Sequence, residues 1–160
     1  MKKKISIILT LIIMFWQAYL AQTWSTAWDH YKKGGGVYIY DQLNTPEMEL
    51  ALGKFKEHSR LSPISISSRN YSGTCLIYLE RYEEAMKEFN SSLSIWSNFT
   101  AHYQKAYIYK TIKNYPNMIK SLESALDHES NFGSEVRFNE EFFDVKNHPS
   151  MFKFQDQYKD

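Results

Sequence analysis

Between Ile66 and Leu126 the chain repeats itself at an offset of 33 residues. Gly73 is answered by Ala106, Leu76 by Tyr109, Tyr82 by Tyr115, Ala85 by Met118, Phe89 by Leu122 and Ser92 by Ala125. Small residues meet small ones and large apolar residues meet large ones, with Ala85/Met118 and Ser92/Ala125 the looser pairs. A fixed period in the thirties indicates a helical solenoid, because a hairpin of that length cannot bury its apolar face without neighbours. The expected fold is therefore all-α: a short α-solenoid of antiparallel helix hairpins, about two and a half in number.

The first clear hairpin is predicted to pair a helix over 66–79 with one over 83–95, turning through Glu80-Arg81-Tyr82. The second pairs 99–111 with 116–127, and Asn114-Tyr115-Pro116 supplies the break and restart. Gly73 costs about 0.8–1 kcal/mol of helix propensity against alanine, which suggests a close crossing of two helix backbones at that slot. Upstream, Thr45-Pro46-Glu47 reads as a hydroxyl cap, a proline in the first turn and an acidic residue. The helix it opens runs to about Ser59 and buries Met48, Ala51, Leu52 and Phe55. Ala51 and Phe55 precede Ala85 and Phe89 by 34 residues, which makes this helix the second half of an earlier, degenerate repeat.

Trp24, Ala27, Trp28 and Tyr31 form one apolar stripe on a short helix over 23–33, stopped by Gly34. Gly34-Gly35-Gly36 reads as a flexible connector; it lacks the spacing and the Lys-Ser/Thr of a phosphate loop. Val37 to Tyr40 reads as a short helix or an ordered loop packed through Tyr38 and Ile39. After Asp127 the chain becomes rich in phenylalanine, at Phe132, Phe138, Phe142, Phe143, Phe152 and Phe154. Two short capping helices are expected there, near 139–146 and 149–158, because a solenoid end must be covered. The domain plan is thus a leader over 1–21 and one solenoid domain over 22–160. Its parts are a degenerate repeat (22–63), two repeats (66–98 and 99–130) and a cap (131–160).

Residues 1–21 read as a secretory signal peptide: Lys2-Lys3-Lys4, an apolar run from Ile5 to Trp16, and a cleavage region at Ala18-Tyr19-Leu20-Ala21. Tyr19 occupies a slot where a small residue is usual, and the alternative is an uncleaved membrane anchor. Either way the body is exported, to the periplasm or outside the cell. The whole chain carries a net charge of +1; removing residues 1–21 takes away three lysines and no acidic residue, leaving −2. A slightly acidic body without a basic cluster excludes a nucleic-acid role. The single cysteine, Cys75, allows neither an intramolecular disulfide nor a cysteine zinc site.

The repeat residues resemble the tetratricopeptide repeat. Its pattern places small residues at Gly73/Ala106, large ones at Leu76/Tyr109 and an aromatic at Tyr82/Tyr115. It then places a small residue at Ala85, an aromatic or leucine at Phe89/Leu122 and a small one at Ser92/Ala125. Tyr82-Glu83-Glu84-Ala85 is similar to the family's usual second-helix opening. The run Phe142-Phe143-Asp144-Val145-Lys146-Asn147-His148-Pro149, followed by Phe152, resembles the ending found after the last repeat in many bacterial members. The chain departs from the pattern at Met118, at His58 and at Ile39. The resemblance implies a right-handed superhelix that binds an extended peptide on a concave face lined by the first helix of each hairpin. Carried over by position, that face comprises Asn70, Thr74 and Ile77 from one repeat and Tyr103, Tyr107 and Lys110 from the next. The Lys/Asn set with which some members clamp a terminal carboxylate is absent. Tyr103 and Tyr107 serve either as flat binding anchors or as packing within the solenoid.

The five histidines are scattered, with no His-Glu-x-x-His, and no Gly-x-Ser-x-Gly elbow occurs. No catalytic, metal or cofactor residue is assigned, and an enzyme is not expected. Asn70-Tyr71-Ser72, Asn90-Ser91-Ser92 and Asn98-Phe99-Thr100 are glycosylation sequons in a eukaryotic host. The expected function is a non-catalytic module that binds a protein or peptide in the cell envelope or outside. The alternative is an assembly subunit that self-associates through its solenoid ends.

Overall fold

The computed structural model describes residues 2–36, 43–128, 142–145, 147–149 and 151. Among them it is all-helical, without strands: α1 (Lys2–Lys33), α2 (Thr45–Leu61), α3 (Ile66–Tyr78), α4 (Tyr82–Ile95), α5 (Phe99–Thr111) and α6 (Tyr115–Leu126), then a 3-10 turn at Phe143–Val145. The chain divides into two compact units, Met1–Arg81 and Tyr82–Asp160. Consecutive helices pack on one another within each: α1 on α2 and α2 on α3 in the first, α4 on α5 and α5 on α6 in the second.

In the first unit the stripe read from the sequence is the core. Ala27, Met48, Ala51 and Phe55 are fully buried. Phe55 stacks on Tyr71 with ring centroids 5.2 Å apart, and Trp24 and Tyr31 meet Phe55 edge-on. The predicted 23–33 helix is not separate, however. It is the C-terminal part of α1, which runs unbroken through the expected cleavage point at Ala21. Trp24 to Tyr31 thereby supplies the helix that packs on α2.

Two local readings need correction. The cap of α2 is Asn44, whose Oδ1 accepts the Glu47 N–H at 3.3 Å, so Thr45 is already helical. An amide one position earlier serves the same orphan donor. Gly34-Gly35-Gly36 is not a loose connector at its start. The Gly34 N–H donates to His30 O at 2.8 Å, and a Cβ on Gly34 would meet Met48 Cε at 3.0 Å and the Met48 backbone N at 3.1 Å. Glycine is needed there because α1 ends against the start of α2. The Val37–Tyr40 reading lies outside the described residues, as does Ile39. His58, the oversized residue of the first repeat, is accommodated by a polar contact: its Nδ1 lies 2.6 Å from Ser68 Oγ, and its ring meets Trp24 edge-on.

The two turns that follow α3 and α5 are copies. The N–H groups of Leu79, Glu80 and Arg81 donate to the carbonyls of Cys75, Ile77 and Leu76. Those of Ile112, Lys113 and Asn114 donate to Ile108, Lys110 and Tyr109, every partner displaced by 33 residues. Both turns put a non-glycine residue in the left-handed region, Glu80 and Lys113, each at φ 58°. This is a Schellman-type helix end, where glycine is the residue without a Cβ penalty. Glu80→Gly and Lys113→Gly are each expected to raise stability by about 1 kcal/mol, read as a higher urea midpoint with unchanged slope.

In the second unit Tyr103, Ala106, Met118, Leu122 and Ala125 form a buried cluster completed by Phe142, Val145 and Met151. Met118, the departure from the repeat pattern, is fully buried between small neighbours. The expected capping helix at 139–146 is, in its described part, the 3-10 turn; the rest of both capping helices lies outside the described residues.

Candidate partner-binding surface

The six residues assigned by resemblance to a concave face fall three in each unit. In the first, Asn70 and Ile77 are buried and Thr74 is half-buried. The Thr74 hydroxyl donates to Asn70 O at 3.0 Å, a bond within α3 that leaves it little to offer a ligand as donor. Tyr71, beside them on α3, is enclosed by Trp24, Trp28, Tyr31 and Phe55. Much of this side of α3 is thus devoted to packing against α1 and α2.

In the second unit the face of α5 is more informative. Tyr103 is buried, stacked on Phe99 with centroids 5.3 Å apart and met edge-on by Phe142 at 5.7 Å. Lys110 Nζ lies 3.1 Å from Asp144 Oδ1, 5.3 Å from the Tyr107 ring centroid and 5.5 Å from that of Phe142. The packing alternative for Tyr103 is therefore the one the geometry displays. Tyr107 and Lys110 keep partial exposure, and they are met by a segment from the tail. The sequence offered no signal for this contact, since Phe142 and Asp144 are two of many aromatic and acidic residues after α6.

Other chemistry is sparse. Cys75 is buried, and burial pushes its thiol up to about 12, so it is an inert apolar residue rather than a nucleophile. Among the described residues no group of three or more His, Cys, Asp or Glu is placed to hold a metal ion. One cluster escaped sequence reasoning: Ser97 Oγ lies 3.0 Å from His102 Nε2 and 2.6 Å from His128 Nε2, tying the α4–α5 loop to both following helices. The sequon at Asn70 is buried together with Ser72, and Asn98 is occupied as the cap of α5, accepting the Ala101 N–H at 3.0 Å.

Two imidazoles are held below their usual range. Burial does this at His58; at His102 burial acts first, then the neighbouring charges of His128 and Lys105. As pH falls through about 6.5 the unfolded chain takes up protons before the folded one, so stability declines on acidification and is greatest above that value. A urea midpoint at about pH 5 lower than at about pH 7.5, with the gap reduced by His58→Gln and His102→Gln together, is the expected result.

Compared with protein-family models and with curated proteins, the chain matches none.

Proposed function

We propose that the protein is a non-catalytic, tetratricopeptide-like helical repeat module that works in the cell envelope or outside the cell and binds a protein or peptide. The recurrence of one turn geometry at the sequence period, residue for residue, supports the repeat reading. The observation that carries binding is on α5: Tyr107 and Lys110 receive a segment that presents an aromatic ring at Phe142 and a carboxylate at Asp144. A face that accepts this pairing from its own chain has the chemistry to accept it from another. The expected partner segment therefore carries an aromatic or large apolar side chain close to an acidic one.

The test is a pull-down from the envelope fraction with the wild-type chain and with Tyr107→Ala/Lys110→Ala. Both residues are partly exposed, so this variant is expected to keep its helical circular dichroism while Tyr103 remains in the core. A partner held by the wild type and lost by the variant supports the reading; equal retention removes the α5 face from it.

A second reading, an assembly subunit, is favoured by Trp96, which is 72% exposed beyond the end of α4. Trp is enriched among residues that anchor interfaces. Light scattering would then give an oligomer that Trp96→Ser dissociates.

A further inference from the structure

The helix α1 joins two environments without a break. From Thr23 onward one side of it is core, with Thr23, Ala27 and Tyr31 buried. Before that point nearly everything is exposed, and Leu11 through Trp16 are each 48–76% exposed. Six consecutive helical residues point in every direction around the axis, so the segment is apolar all round. A groove on a protein would cover one stripe of such a helix; only surroundings that are apolar on all sides cover it entirely. The helix is long and apolar enough to cross a membrane, and it carries no acidic residue before Asp29.

We propose that α1 is retained uncut as a bilayer anchor, with its N-terminus on the cytoplasmic side, and that the α2–α3 loop rests in the opposite headgroup layer. Retention follows from the expected cleavage region. A leader peptidase needs small residues just before the cut, and Tyr19 stands in one of those positions. The same Tyr19 hydroxyl donates to Glu57 Oε1 at 2.8 Å, and Trp24 is already packed against Phe55, His58 and Tyr71. The lysines at positions 2–4 set the orientation, since basic flanks stay on the cytoplasmic side.

Placement of the loop follows from length and direction. From Lys2 to Tyr19 the helix spans about 27 Å at 1.5 Å per residue, against about 30 Å of hydrocarbon. No slack separates the span from the fold, so the first unit sits on the surface. The pairs His30–Glu47, Trp24–Phe55 and Tyr19–Glu57 show that α2 runs antiparallel to α1, with its C-terminal end toward the bilayer. That end carries Lys54, Lys56 and Arg60, and Arg69 reaches it by donating to Pro63 O at 3.2 Å. Against one glutamate, Glu57, this is a cationic rim. At its tip Ile64 is 79% exposed, an apolar side chain with no cover in the described fold. Cations for lipid phosphate and an apolar tip for the acyl boundary are the combination an anionic membrane surface takes up.

The experiment uses the full chain expressed in cells with a C-terminal epitope. Membranes are washed in alkaline carbonate, and the N-terminus of the recovered protein is determined by mass spectrometry. An uncut chain that stays with the membrane is expected; an N-terminus at Gln22 in the soluble wash overturns the anchor. Tyr19→Ala, which restores a small residue before the cut, is expected to shift the protein to the cut, soluble form. A variant that remains uncut would overturn the role given to Tyr19. For the loop, Ile64→Cys carries an environment-sensitive dye, the buried Cys75 thiol staying unlabelled in the folded chain. In vesicles of phosphatidylcholine with phosphatidylglycerol the dye is expected to shift to the blue and to be quenched by lipid-borne quenchers. A water-like, unquenched spectrum overturns the docking.

Discussion

Phe55→Ala is expected to be the most damaging single substitution in the first unit, at about 3–5 kcal/mol. The ring is fully buried and touches three others: Tyr71 face-on at 5.2 Å, Trp24 edge-on at 5.4 Å and Tyr31 edge-on at 6.1 Å. Truncation loses the transfer energy of the ring and leaves a cavity walled by aromatics that cannot collapse without breaking their mutual contacts. Most domains hold only about 5–15 kcal/mol in total, so a loss of this size consumes much of the margin. Thermal unfolding followed by circular dichroism should show the midpoint falling by roughly 10 °C or more. Phe55→Leu, which keeps most of the volume, should recover over half of the loss; equal midpoints for Leu and Ala would show that ring packing is not what matters.

Phe142→Ala has an effect of similar size but a different signature. Phe142 is 1% exposed within the cluster of Tyr103, Ala106, Met118, Leu122 and Ala125, and it is the tail's deepest contact. Its removal is expected to cost about 3–5 kcal/mol to the second unit and to uncover the α5 face. Lys110→Ala, by contrast, removes an ion pair whose carboxylate is largely exposed, and such pairs contribute about 0–1 kcal/mol. Limited proteolysis should therefore cut after α6 far faster in Phe142→Ala than in Lys110→Ala. Equal rates would mean that the aromatic contact does not hold the tail.

The helices were legible because period, caps and breakers agree. The limits read for α3 to α6 match those observed to within one residue, and the α5 limits, Phe99–Thr111, coincide. Turn geometry was not legible: nothing in Leu79-Glu80-Arg81 or Ile112-Lys113-Asn114 spells a left-handed residue where glycine would be natural. The unbroken α1 was missed because targeting signals and core stripes are read by different rules, and the chain places one directly after the other. The candidate face was legible only as positions on a pattern. Position alone could not say that Asn70, Ile77 and Tyr103 turn inward, since that depends on Trp24, Trp28 and Phe142, which lie 39 to 46 residues away in sequence.

The bond between the Asn44 N–H and Gly34 O, at 3.3 Å, has a practical consequence. It clasps the two ends of the α1–α2 connector, so the packing of α1 on α2 is set outside the residues between them. Lengthening that stretch should cost little, about 0.6 kcal/mol for each doubling of a flexible loop. The connector is thus a natural port for a peptide tag or a fluorescent domain, leaving the α5 face and the helix ends untouched.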